Sequence, residues 1–305
     1  MELPSTLKNL YRHWDNHTKS EGLIIPYNEI FKDEKLSEEM FWFIDERINI
    51  WKKKVLGDTP PFTENILLSK YRFCNIFREF DRQTIEFHTL LNPIRDTFSL
   101  WLLNMFYCRM VARTETIKNV GLLSFDKEKN KVVYKKLMEH SRPRFGTPYV
   151  FPISTILKSG TPTRELFITE YLPVIMNEVA EEILKWNKES VYEGTRKIIL
   201  IFGYNLNFLW NEVLIDVAYQ YPEYINLFDR FPVGPGSLPT MQKINKEKDP
   251  SFLVKELTKI QFDTGLAFNN KKLLLSAENW EGVGCEFRKY TNLKNGKGRK
   301  RIFRK

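Results

Sequence analysis

Tyr71, Asn75, Arg78 and Arg82 follow one another at intervals of four, three and four residues. At about 100° per residue a helix over residues 71–82 would gather them within roughly 60° of one face, and Phe73, Ile76, Phe77 and Phe80 would form an apolar stripe opposite. Two planar guanidinium groups beside an amide and a phenol make a grip for phosphate oxygens, because arginine presents paired donors that match them. The plainer alternative is a solvated face with internal ion pairs to Glu79 and Asp81.

A second group of chemistry-bearing residues is Glu212 and Asp216, four apart in LWNEVLIDVAYQ and surrounded by Leu209, Val213, Leu214, Ile215 and Val217. Carboxylates projecting from so apolar a helix lose solvent, which raises a pKa and suits general acid–base work. The competing expectation is a structural pair neutralised by arginine. A third is Gly234-Pro235-Gly236-Ser237 ahead of a helical segment, where bare backbone N–H groups could meet a phosphate. It resembles the hairpin of helix-hairpin-helix DNA-binding proteins, with Thr240 one position late. Taken alone, it reads equally as a tight interhelical turn.

The net charge of +9 is concentrated. Residues 288–305 hold nine Lys or Arg and no acid, leaving 38 basic against 38 acidic residues elsewhere. A basic Gly-containing end with Lys297, Arg299, Lys300 and Arg301 reads as a nucleic-acid arm whose phosphate contacts are salt-sensitive, and Lys243 adds to the same surface. A solubilising tail would have the same composition.

Several chemistries are excluded or unsupported. No G-x-x-x-x-G-K-[ST] occurs, so the chain carries no P-loop kinase. His13, His17, His88 and His140 are too scattered to suggest a metal cluster or a triad, so the reading assigns no metal ligands. Cys74, Cys108 and Cys285, an odd number at wide spacing, fit reduced thiols.

The elements that must position these groups are mostly helices. Ser37 is a candidate N-cap for a helix with Lys52 to Lys54 in its last turn and Gly57 as its stop. Pro60-Pro61 break the chain, Thr63 can cap the next helix, and that helix should carry residues 71–82. Residues 93–111, apolar nearly all round, read as a buried helix, and further helices are expected over 163–186, 204–219 and 251–262. A short strand pair near 131–134 or 149–153 is the only β expectation. The fold class is mainly α: a multi-helix globular fold with few short strands, divided into an irregular segment 1–34 with Trp14 and Tyr27 as anchors, a single helical catalytic domain 35–290, and a basic tail 291–305. With no run of about 18 apolar residues and no apolar leader, the expectation is a cytoplasmic protein with no membrane partner.

Four blocks then carry a family resemblance. Phe43-Ile44-Asp45-Glu46-Arg47 leads to Pro60-Pro61-Phe62-Thr63-Glu64-Asn65-Ile66-Leu67, similar to P-W-T-x-D-x-I-L with Phe62 for Trp and Asn65 for Asp. Residues 71–82 resemble Y-R-F-x-N-V-x-R-x-x-D-R. Glu212 to Asp216 followed by residues 233–244 resemble an E/Q-x-x-x-D helix and a G-P-G-A-x-x-G-I block, with Ser237 for Ala. Glu278-Asn279 and Cys285-Glu286-Phe287-Arg288-Lys289-Tyr290 resemble E-H-x-x-C-E-F-x-K-Y, with Asn279 for His and a longer spacing. The sequence resembles the phage amino acid:DNA transferases, also called α-glutamyl/putrescinyl-thymine pyrophosphorylases, and the related helical domain found beside 5-hydroxymethyluracil DNA kinases.

That resemblance implies an enzyme acting on double-stranded DNA in which a separate kinase has acted upstream. An amine or amino acid displaces pyrophosphate from the 5-methylene of pyrophosphorylated 5-hydroxymethyluracil. On this reading Arg78, Arg82, Lys289 and the Gly234 and Gly236 backbone hold pyrophosphate, with Tyr71, Arg72 and Glu286 lining the same site. Asp216 or Glu212 takes a proton from the ammonium, and Asn75 reads the edge of a flipped base. No resident cofactor is implied; a Mg2+ ion on the pyrophosphate is compatible with the chemistry. Arg78 and Asp216 are expected to line one cleft. Two other readings share these features: a base-excising enzyme of DNA-glycosylase-like architecture, and a non-catalytic DNA-binding module that recruits the kinase.

Overall fold

The computed structural model describes residues 1–19, 24–146, 153–203, 206–260 and 262–298. The fold is mainly α, and its strands are only two residues long. The chain forms two compact units, Met1–Asp81 with Leu227–Lys305, and Arg82–Asn226.

In the first unit the segment before residue 34 is more ordered than expected, with short helices at Ser5–Leu10 and Tyr27–Ile30. Trp14 is buried and its indole N–H donates to the Leu7 carbonyl, whereas Tyr27 stays exposed. The long helix Glu34–Val55 begins earlier than the Ser37 reading. Asp33 is the cap, its carboxylate accepting from the Leu36 N–H, and Ser37 is buried inside the first turns. Gly57, at φ +80°, follows the helix end as expected.

The next helix, Ile66–Lys70, is capped by Asn65 instead of Thr63, whose hydroxyl accepts from the Asn65 N–H. This helix stops before the arginine-bearing stretch. Residues 72–75 are irregular, Arg78–Phe80 make one 3-10 turn, and Asp81 is extended. The expected single helical face over 71–82 therefore does not form. Its apolar stripe persists without a helix: Ile76, Phe77 and Phe80 are buried, and Trp51 of the long helix stacks on Phe80 with centroids 4.0 Å apart.

The rest of this unit comprises the helices Leu238–Ile244 and Pro250–Leu257, an antiparallel pair of Ala267–Phe268 with Lys271–Lys272, and the long closing helix Ala277–Lys294. Ser276 caps that last helix in a reciprocal box with Asn279, so the residue standing in the histidine position of the motif serves as a cap partner. The helix runs through the expected 290/291 boundary and buries Leu293.

In the second unit, Phe98–Val111 is the expected buried helix, with every residue from Trp101 to Val111 buried. The strand suggested at 131–134 is instead part of the helix Lys127–Glu139. The alternative at 149–153 falls largely outside the described residues. The 163–186 helix is interrupted by a π turn at Phe167–Tyr171 before Leu172–Ile183. Val191–Phe202 and Asn207–Gln220 follow, and Glu189–Ser190 pairs in parallel with Ile225–Asn226. Among the described residues no single helix is long and apolar enough to cross a membrane.

Candidate active site

Three stretches far apart in sequence converge in the first unit: the irregular segment 71–81, the turn 234–237, and the face of Ala277–Lys294 carrying Glu281, Cys285, Glu286, Arg288 and Lys289. Residues 72–75 belong to neither helix nor strand, so their backbone polar groups need partners from elsewhere. Buried Arg47 of the long helix donates to the Phe73 and Cys74 carbonyls at 3.3 and 3.0 Å. Lys289 donates to the Arg72 carbonyl and pairs with Glu286 at 3.3 Å. Glu286 in turn accepts the Cys74 N–H at 3.0 Å. Two cations lie over the Phe73 ring, Lys289 Nζ at 4.5 Å and the Arg47 guanidinium at 5.5 Å from its centroid.

Asn75 donates both its backbone N–H (3.1 Å) and its side-chain amide (2.9 Å) to Asp81 Oδ1. This fixes the amide and engages one of its two N–H donors from within the loop. Burial pushes the Asp81 carboxyl up to about 6, helped by the Glu286 charge and opposed by Asn75 and Arg78. Asp81 and Arg47 are the residues of this candidate site that periodicity passed over. Both stand in the family motifs, where a carboxylate and an arginine with no place on an amphipathic face were the available signal.

The turn 234–237 departs from the expected phosphate cradle. Gly234 N–H donates to Glu281 Oε1 at 3.1 Å and the Ser237 hydroxyl donates to the same oxygen at 2.7 Å, so a carboxylate already occupies that backbone donor. No helix immediately precedes the turn, since 227–234 are turn and coil, and a helix-hairpin-helix element is not formed. Gly236 serves close packing: a Cβ there would lie 2.7 Å from Cys285 Sγ. Arg288 donates to the Pro235 carbonyl at 2.7 Å and fastens the turn to the closing helix. Lys243 is exposed on the helix that follows.

The arginine row is dispersed. Arg78 is half-buried in its 3-10 turn and Arg72 is exposed, while Tyr71 is half-buried at the C-cap of Ile66–Lys70. Arg82 opens the helix Arg82–Leu91 in the other unit, with its side chain 92% exposed and 2.8 Å from Glu86. There it lines an open cleft of about 490 Å3 with Gln83, Arg113 and Lys118.

Asp216 does not face a cleft. It is fully buried within the second unit, where Arg109 binds both carboxylate oxygens at 2.6 Å. Gln220 Nε2 donates to His88 Nδ1 (2.9 Å), which leaves the imidazole proton on Nε2, donated to Asp216 Oδ1 (3.1 Å). The structural alternative for this carboxylate is the one observed, and His88 is its packing partner. Glu212, one turn earlier, is only half-buried. Lys297 is exposed; Arg299, Lys300 and Arg301 lie outside the described residues.

Apart from Glu212–Asp216, the blocks that carried the resemblance thus meet in the first unit of a mainly helical fold. Residues 34–300 match the model of the helical domain of 5-hmdU DNA kinases, and the chain belongs to that family. A 5-hmdU DNA kinase of Bacillus phage SP10 is 26% identical over 242 residues, covering 71% of this chain and 36% of the relative. The chain thus spans about a third of that relative's length. No solved structure matches.

Proposed function

We propose that this chain acts in thymine hypermodification of phage DNA, and that it transfers an amine or amino acid onto the 5-methylene carbon of pyrophosphorylated 5-hydroxymethyluracil. The bond formed is C–N, the bond broken is C–O, and pyrophosphate leaves. The supporting observation is that residues 71–81 and the turn 234–237 both pack on residues 281–289 of the closing helix, where Arg47, Lys289 and Glu286 fix the loop and Asp81, close to Arg78, holds the Asn75 amide. A guanidinium carried on a loop fixed in this way stabilises charge that develops on a departing phosphate, without reorganisation during the step.

Arg78 and the exposed Arg72 engage the pyrophosphate, with Tyr71 beside them. Arg82, held outside this loop, supplies a further guanidinium for DNA or for phosphate. Asn75 is oriented by Asp81 to present its amide oxygen to the base edge of an extruded nucleotide. Within this unit the ammonium proton passes to Asp81; Glu212 and Asp216 belong to the other unit, where Asp216 is the buried partner of Arg109. Lys289 and Glu286 hold the loop. The basic residues 297–301 and Lys243 contact DNA backbone, and Mg2+ accompanies the pyrophosphate. The DNA substrate is prepared by a 5-hydroxymethyluracil DNA kinase, a link supported by family membership.

A second reading has one specific observation behind it. Lys289, Arg47 and Arg288 each donate to backbone carbonyls, so part of the charge serves the loop itself. A domain of this kind could recruit a kinase without turning over substrate. Pyrophosphate release from duplex DNA bearing the pyrophosphorylated base separates the possibilities. Release that requires an added amine supports transfer; release of free base without amine points to excision; tight DNA binding with neither product supports the recruiting module.

A further inference from the structure

His13 and His17 are separated by three residues, a spacing that recurs in zinc-binding pairs, and the 3-10 turn Asn16–Thr18 brings both rings to Glu79. Sequence spacing leaves these histidines isolated, because the carboxylate that unites them lies more than 60 positions further on. His13 Nε2 is 2.9 Å and His17 Nε2 3.6 Å from Glu79 Oε1, and the ligand atoms of all three lie within 4.8 Å of one another. Ligands about 2.0–2.2 Å from a tetrahedral ion stand roughly 3.3 Å apart, a spacing that these two distances bracket.

The hydrogen-bond polarity at His17 is the stronger argument. Its Nδ1 lies 3.1 Å from the Leu274 carbonyl, which can only accept, so the ring proton resides on Nδ1. Nε2 then carries a lone pair. It is fully buried, has no hydrogen-bond partner among the described residues, and points at a carboxylate oxygen that is also an acceptor. Two acceptors facing each other in the interior repel unless a cation lies between them. The carbonyl on the far ring nitrogen is also the support that metal-bound imidazoles characteristically have.

We propose that His13, His17 and Glu79 bind one divalent transition-metal ion of the zinc type. Two imidazoles and a carboxylate suit Zn2+ and its Co2+ surrogate far better than Mg2+, which takes oxygen ligands and keeps its waters. The rings of Trp14, Phe77 and Phe228 pack around the histidines, and with three protein ligands the fourth position of a tetrahedral ion would be taken by water. The site's effect is to fasten the N-terminal segment to the turn Arg78–Phe80, so that the ion fixes the residues on either side of Glu79, namely Arg78 and Phe80. The site requires neither DNA nor a turnover assay, so it stands or falls separately from the transfer reaction.

The test is metal content of the untagged full chain after equilibration with Zn2+ and gel filtration. One zinc per chain is expected, falling at least tenfold in His17→Gln and Glu79→Gln. The Co2+-loaded wild type should absorb in the visible as a tetrahedral site does, and chelation should lower the melting midpoint until Zn2+ is restored. If a variant fails to fold, the wild-type stoichiometry and Co2+ spectrum still decide. Less than a tenth of an equivalent in the wild type after loading, or folded variants with unchanged metal content, would overturn the site and leave a buried hydrogen-bonded cluster only.

Discussion

Cys74 donates its backbone N–H to Glu286 Oε2 at 3.0 Å, across 212 positions of sequence. This bond ties the most specific motif of the family resemblance to the closing helix. Glu286 also holds Lys289, so one carboxylate fixes both the loop and the cation beside it. Glu286→Ala should lower stability by about 1.5–3 kcal/mol, the range for hydrogen bonds to a charged group. Glu286→Gln, which keeps an acceptor oxygen, should lose less. Urea unfolding gives both values, and equal midpoints for all three proteins would refute the tie.

Asp216 and Arg109 form the buried counterpart in the second unit. Removing one partner strands a charge, so Asp216→Ala should cost about 3–5 kcal/mol. Replacing both residues with apolar side chains of similar volume should recover most of that loss. A stable, folded Asp216→Asn protein that binds DNA normally yet has lost all turnover would instead return this residue to the role of base.

These two relationships show which features were legible in the residue order. The apolar positions of residues 71–82 were legible because burial follows side-chain type, and Ile76, Phe77 and Phe80 are indeed buried. Their helical geometry was not, because the loop is held open by Arg47, Glu286 and Lys289, and tertiary donors override local periodicity. Likewise Glu212 and Asp216 share a face as spacing requires, but only the position of Arg109 determines that Asp216 is neutralised. The turn 234–237 was recognisable as a turn. That Glu281 would occupy its N–H depended on which face of a distant helix it met.

Cys285 offers a pH-dependent check on the site's packing. Burial, with Glu286 and Glu281 nearby, pushes its thiol up to about 11 from an ordinary value of 9.0. At pH 8 the thiolate fraction, and with it the alkylation rate, should be roughly a hundredfold below that of an unperturbed cysteine, rising only as pH approaches 11. Peptide-resolved labelling with iodoacetamide in a Cys74→Ser background reads this directly. Fast modification at pH 8 would show that the thiol is open to water and that Gly236 does not pack against it.

Residues 295–305 contain Lys297, Arg299, Lys300, Arg301, Arg304 and Lys305. Truncation after Lys294 preserves buried Leu293 and should weaken DNA binding. It should also flatten the slope of log affinity against log salt concentration by up to about 5, at roughly 0.9 for each phosphate no longer neutralised. An unchanged slope would remove the tail from the DNA interface.

The reaction itself is tested most directly by mass spectrometry of nucleosides from duplex DNA carrying pyrophosphorylated 5-hydroxymethyluracil, digested after incubation with the protein and a panel of amines. The expected product is a new nucleoside whose mass equals that of the base with one amine attached through the 5-methylene, formed with loss of pyrophosphate and abolished by Arg78→Ala. An unaltered nucleoside profile with every amine, from a protein that demonstrably binds this DNA, would contradict the transfer reaction.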